Sequence, residues 1–232
     1  METLAKSLLN IHILAGSISL FLFWIPAFSR KGGKTHNLAG HYYVVCMWLV
    51  VVTAMILSVI NLVEEDYFMA GFLGYLSILT SAPLWYARAI LKNKKRISNT
   101  YYYTFRALYW VIFLFALSLI VWSVVLEVQG PAVLMLIFGI LGLTSFGNAA
   151  ANYQQLTRRS NWIVTHLRGM FTTGIAAYTA FFAFGGRRFL GDILTDHWMV
   201  IPWVLPTIIG TLAIRYFTRK YTVARTQNLK VL

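Results

Sequence analysis

The sequence predicts an all-α protein, a polytopic transmembrane helix bundle of about seven spans with its N-terminus outside and its C-terminus in the cytoplasm. Three observations point there. Hydrophobic residues make up 59% of the chain and charged ones only 12%, whereas a soluble domain carries roughly 45–50% and about 25%. The apolar residues form continuous runs, each close to the roughly 20 residues that cross a hydrocarbon core. Basic residues cluster in the odd loops, and the acidic residues fall at the N-terminus and in the even loops. Runs that do not alternate polar with apolar residues also disfavour a membrane β-barrel.

Read in order, the spans fall at about 7–28, 40–62, 67–91, 104–126, 131–152, 162–184 and 198–217. The first could pass for a signal peptide. Its weak basic flank, long apolar run and lack of a clear small-residue cleavage site before Ser29 predict that it stays as a span. A basic turn follows, SRKGGKTHNLAGHYY from Ser29 to Tyr43. Pro131 suits the first turn of the fifth helix, where its missing N–H costs nothing. Residues 1–217 thus form one helical domain, and 218–232 a polar, basic cytoplasmic tail expected to be partly disordered. No repeat or low-complexity segment appears.

The charges set the orientation. Arg30, Lys31 and Lys34 occupy the first loop, Arg88, Lys92, Lys94, Lys95, Arg96 and Arg106 surround the third, Arg158 and Arg159 lie in the fifth, and Arg219, Lys220, Arg225 and Lys230 in the tail. The acidic residues, Glu2, Glu64, Glu65, Asp66, Glu127, Asp192 and Asp196, fall at the N-terminus and in the even loops. The basic side is the cytoplasmic side of a cell inner (plasma) membrane. The net charge of +13 is therefore directed at anionic lipid headgroups and implies no nucleic-acid partner.

Because every acidic residue is in a loop, no span holds a carboxylate. That weakens proton-coupled antiport, aspartyl proteolysis within the membrane and carboxylate-assisted metal hydrolysis. The seventh span holds no deep lysine, which excludes a retinal Schiff base. Cys46 is the only cysteine, so no internal disulfide or CxxC motif exists.

The histidines remain, and an ionisable residue inside a membrane is costly enough to suggest a use. In the second helix, His36, Gly40, Tyr43, Met47, Ala54, Ser58 and Asn61 share the face expected to meet other helices. His41 falls on another stripe with Val45, Trp48, Val52, Met55 and Val59, which reads as lipid-facing. In the sixth helix, His166 shares a narrow face with Gly169, Thr173, Ala177 and Ala180. Thr144, Asn148, Asn152 and Gln155 form a polar line on the fifth. His36, His166 and Asn148 or Asn152 are expected at one depth, where they could converge on a cytoplasmic-side pocket. Arg168, with Arg88, Arg106 and Arg215, stands at a similar height and could meet an anionic group. His12, with Gly16, Ser19 and Phe23, points inward from the first helix in the outer third, near the level of His197. Each has a plainer reading: histidines and asparagines bridge helices in bundles, and arginines snorkel to headgroups.

His12 with Gly16, the run His36-Asn37-Leu38-Ala39-Gly40-His41-Tyr42-Tyr43, Trp162 with His166 and Met170, and Ala176-Ala177-Tyr178-Thr179-Ala180-Phe181 resemble the bacterial predicted membrane proteins catalogued as domain of unknown function 2306. The family has a basic residue after the turn histidine, where this chain has Asn37. The resemblance covers most of the chain and implies a multi-pass inner-membrane protein in which His12, His36, Gly40 and His166 matter. It implies no substrate.

Three functions compete at this point. The first is membrane redox, with haem b or a quinone held between helices by His36 and His166, assisted by His12, Gly40, Asn148, Asn152 and Arg168; axial imidazoles from facing helices suit haem iron. The second is a hydrolase or lipid-modifying enzyme with a transition metal on His36, His41 and His166, a sphere that lacks an acidic base. The third is a non-enzymatic transport or structural membrane protein. Composition and spacing do not choose a substrate.

Overall fold

The computed structural model describes residues 2–94, 97–125, 131–151, 162–185 and 201–229. Within them the chain is helical: α1 (Glu2–Phe28), α2 (Lys34–Val63), α3 (Tyr67–Ala89), α4 (Asn99–Val125), α5 (Pro131–Ala151), α6 (Trp162–Ala180) with a π-helical turn at Phe181–Gly185, and α7 (Ile201–Leu229). Six of the helices are long and apolar enough to cross a membrane. The seventh, α6, is short of that mark because it carries Thr165, His166, Arg168, Thr172, Thr173 and Thr179.

The helices run up and down. α1 and α2 are joined by a turn in which Gly32 adopts φ +77°, a conformation open to glycine. Asn37 Nδ2 donates to the Gly32 carbonyl at 3.1 Å, which ties the first turn of α2 back to that loop. At the other end of α2, the Asp66 side chain accepts from the Met69 amide at 3.0 Å and caps α3. Phe171 meets Phe217 and Phe184 meets Trp203, so α6 and α7 are antiparallel. Trp110 meets Phe146 while Gly139 faces Ile120, which makes α4 and α5 antiparallel as well. One end of the bundle therefore gathers the basic segments around residues 29–34 and 88–94, and the other gathers Glu64, Glu65 and Asp66.

Close approaches at glycine hold the middle together. Tyr75 Oη donates to the Phe138 carbonyl at 2.9 Å, and a Cβ on Gly142 would collide with that hydroxyl. Around Gly169 a Cβ would stand 2.5 Å from Ala87 Cβ and 2.7 Å from the Pro83 carbonyl, so α6 crosses α3 backbone to backbone. Three aromatic-rich clusters fill the interior, centred on Tyr86, Tyr101, Phe105 and Tyr109, on Phe72, Tyr75 and Phe138, and on Phe23, Tyr43 and Met47.

Two boundaries differ from the sequence reading. α2 begins at Lys34, which puts His36 inside a helical turn and shortens the basic loop. α7 continues to Leu229, so the tail expected after Phe217 is helical for most of its length.

Candidate functional site

The inward face expected for α2 is the observed one. Tyr43, Met47 and Ala54 are buried, while His41, Val45, Val52, Met55 and Val59 are exposed. His36 and Gly40 are half-buried on the inward face, with Gly40 set against Pro26 of α1. From α6, His166 comes to the same point, and its ring centre lies 6.5 Å from that of His36, with the planes at 63°.

Each ring is fixed on one side by the end of another helix. The last carbonyls of an α-helix lack an intrahelical donor. His36 Nδ1 donates to the carbonyl of Pro26, near the end of α1, at 3.0 Å. Lys31 Nζ shares that acceptor at 2.7 Å and also reaches the Ala27 carbonyl at 2.6 Å. His166 Nδ1 donates to the carbonyl of Ala87 at 2.9 Å, near the end of α3. That carbonyl is available because the amide of Leu91 turns to Arg88 instead.

A carbonyl can only accept, so in both rings the proton sits on Nδ1 and the Nε2 lone pair is left for something else. This is the arrangement by which proteins orient a metal-binding histidine. Gly169 makes it possible on the α6 side, since any larger residue would push His166 away from Ala87.

The other residues expected at this site lie elsewhere. Asn148 and Arg168 line a separate interior cavity of about 970 Å³ that neither His36 nor His166 borders. Two positions apart on α6, His166 and Arg168 point to nearly opposite sides. The expected single pocket is thus two sites back to back. His12 also reaches the cavity, with Nδ1 lying 3.1 Å from the Val50 carbonyl and 2.9 Å from Thr53 Oγ1. From position 12 to position 26 an α-helix rises about 21 Å, at about 1.5 Å per residue, so His12 stands well away from the pair. Asn152 and His197 lie outside the described residues.

Sequence reasoning missed most of the cavity wall: Tyr86, Tyr109, Thr172, and on α7 Thr207, Thr211, Thr218 and Arg219. A signal existed. Thr207, Thr211, Arg215 and Thr218 recur at helical spacing on α7, a polar stripe in an otherwise apolar span. No group of three histidine, cysteine or acidic side chains that could hold a metal ion occurs among the described residues.

Compared with known proteins, the chain matches no family model, no curated protein and no solved structure. What the fold and site define is a class: an all-helical protein with helices able to cross a membrane, carrying a paired-imidazole cluster and a separate polar-ended cavity.

Proposed function

We propose that this chain is a multi-pass plasma-membrane protein whose His36–His166 pair holds a redox-active transition metal at the cytoplasmic end, with haem b iron the form that suits it best. The observation that carries the reading is the pair itself: two Nδ1-anchored imidazoles from different helices, with ring centres 6.5 Å apart. His36 from α2 and His166 from α6 would hold the metal, which would supply one-electron redox chemistry there.

The number of donors favours haem over a bare ion. A catalytic zinc needs three protein ligands, and only two imidazoles meet here. Haem iron takes its other four nitrogens from the macrocycle and asks the protein for two. The macrocycle would lie outside the interior cavity, since neither histidine borders it. The tautomer argues against a quinone on the same pair, because an Nε2 lone pair cannot donate to a quinone carbonyl. Capping alone accounts for the Nδ1 side of each ring and leaves the approach of the two rings unexplained.

The membrane reading rests on the six apolar helices. α6 supplies a seventh crossing in this proposal, supported by contacts that run from Ala87 at one end of α3 to Phe72 near the other. The clustering of basic residues in the odd loops supports a cytoplasmic basic end. The resemblance to domain of unknown function 2306 belongs to the same proposal, since His12, His36, Gly40 and His166 carry it. The test is the redox spectrum of the purified protein and of its His36→Ala and His166→Ala variants, with iron measured on the same samples.

A further inference from the structure

The second site is chemically unlike the first. The cavity of about 970 Å³ is lined by residues of all seven helices, with α1 and α4 contributing His12 and Tyr109, and its wall changes character along its length. Toward the acidic end of the bundle the wall is mostly apolar, with Leu73, Phe138, Trp203 and Ile208 beside His12, Thr179 and Thr207. Four rings, Phe72, Phe138, Phe184 and Trp203, meet edge to face there with centres 5.2–5.7 Å apart and draw α3, α5, α6 and α7 together. Toward the basic end the wall carries Arg168, Arg215 and Arg219 beside Tyr86, Tyr109 and Asn148.

Arg168 is half-buried on this wall, and Arg215 and Arg219 are exposed at its basic mouth, where guanidiniums reach headgroup phosphates. Among the described residues, no acidic side chain lies on the wall. Glu64, Glu65 and Asp66 follow the far end of α2, at the opposite end of the bundle. Thr179, near the apolar end of the same wall, has a buried hydroxyl without a hydrogen-bond partner among the described residues.

We infer that the Arg168–Arg215–Arg219 cavity binds one membrane lipid with an anionic headgroup, its phosphate against the arginines and its acyl chains along the apolar wall toward Trp203. The argument is charge complementarity joined to shape: a pocket cationic at one end and oily at the other fits an amphipathic anion. A free anion would leave the apolar half empty, and a neutral lipid would forgo the charge-assisted bonds that the guanidiniums offer a phosphate.

The test is native mass spectrometry of the full chain released from detergent, after reconstitution in bilayers of phosphatidylcholine containing phosphatidylglycerol. The expected result is one phosphatidylglycerol retained per chain. Retention falls about tenfold in Arg168→Gln/Arg215→Gln and stays unchanged in Arg106→Gln, whose guanidinium sits on α4 beside the Tyr102 hydroxyl. Ala176→Phe, which fills the cavity without touching an arginine, also expels the lipid, and it decides the matter if the arginine variant does not fold. Equal retention in all variants, meaning annular lipid only, overturns the inference. So does displacement of the lipid by excess inorganic phosphate, which would show a site for a soluble anion. The readout is a lipid mass, so it fails or succeeds independently of the haem proposal.

Discussion

Tyr43 and Thr173 hydrogen-bond across the bundle, hydroxyl to hydroxyl at 2.8 Å, and they stand seven positions beyond His36 and His166 on the same two helices. Thr173 Oγ1 itself donates to the Met170 carbonyl, so Tyr43 is the donor to Thr173. Seven residues are two turns, about 10.5 Å. α2 and α6 thus run parallel, and one register that aligns the buried hydroxyls also aligns the imidazoles below them.

That register is testable through the hydroxyl pair. Tyr43 is 2% exposed and Thr173 not at all, so removing either partner strands a buried polar group. Tyr43→Phe and Thr173→Val should each lower stability by about 0.6–1.7 kcal/mol, the range for hydrogen bonds between membrane helices. The double variant should cost less than the sum of the two. A double-mutant cycle on unfolding in mild detergent measures the coupling; strict additivity would contradict a direct bond.

Gly169 should tolerate nothing larger. A Cβ there would lie 2.5 Å from Ala87 Cβ, 2.7 Å from the Pro83 carbonyl and 2.8 Å from the Tyr86 ring. Two of those contacts involve parts of the chain that cannot swing aside. Gly169→Ala should lower stability by about 1–3 kcal/mol and move His166 off the Ala87 carbonyl, which reduces any bound cofactor as well. Thermal unfolding and cofactor content measured on one preparation check both. Gly147, around which a Cβ would meet nothing, is the control: Gly147→Ala should be close to neutral.

The histidines should separate by position. His36→Ala and His166→Ala should each abolish the cofactor signal, because in the proposed site the pair supplies both ligands. His41 is exposed on the other face of α2, beside Tyr42, and His41→Ala should leave the signal intact. A loss with His41→Ala equal to the others would move the site to the outer face of α2.

The proposed orientation rests on loop charge and can be read chemically. Lys94 lies at the basic end and stacks over the Trp162 ring at 4.2 Å. In a chain with Cys46 replaced by alanine, Lys94→Cys should resist a membrane-impermeant maleimide in intact cells and react once the membrane is opened. Labelling from outside intact cells would invert the topology.

Much of this was legible in the sequence, for reasons that particular residues make plain. The spans follow from uninterrupted apolar runs, and the inward face of α2 follows from Gly40, Tyr43, Met47 and Ala54 recurring at helical spacing. Periodicity gives the azimuth of a residue on its own helix and hydropathy gives its depth. Neither gives how one helix is rotated against its neighbours. For that reason His166 and Arg168, both correctly placed near one end of α6, were expected in one pocket and occupy two. The Nδ1 partners were illegible for a related cause: Pro26 and Ala87 offer carbonyls, and backbone atoms leave no mark in a side-chain pattern. The run of α7 to Leu229 was missed because its last turns are polar and a span was sought.

The most direct test of the central claim is a dithionite-reduced minus oxidised absorption spectrum of the gently solubilised protein, expressed with ample haem and shown to be folded. A paired-imidazole haem site predicts sharp Soret and α-bands with stoichiometric iron, both lost in His36→Ala and in His166→Ala. A featureless spectrum from folded, iron-free protein would contradict it, and would leave the two histidines as caps on the ends of α1 and α3.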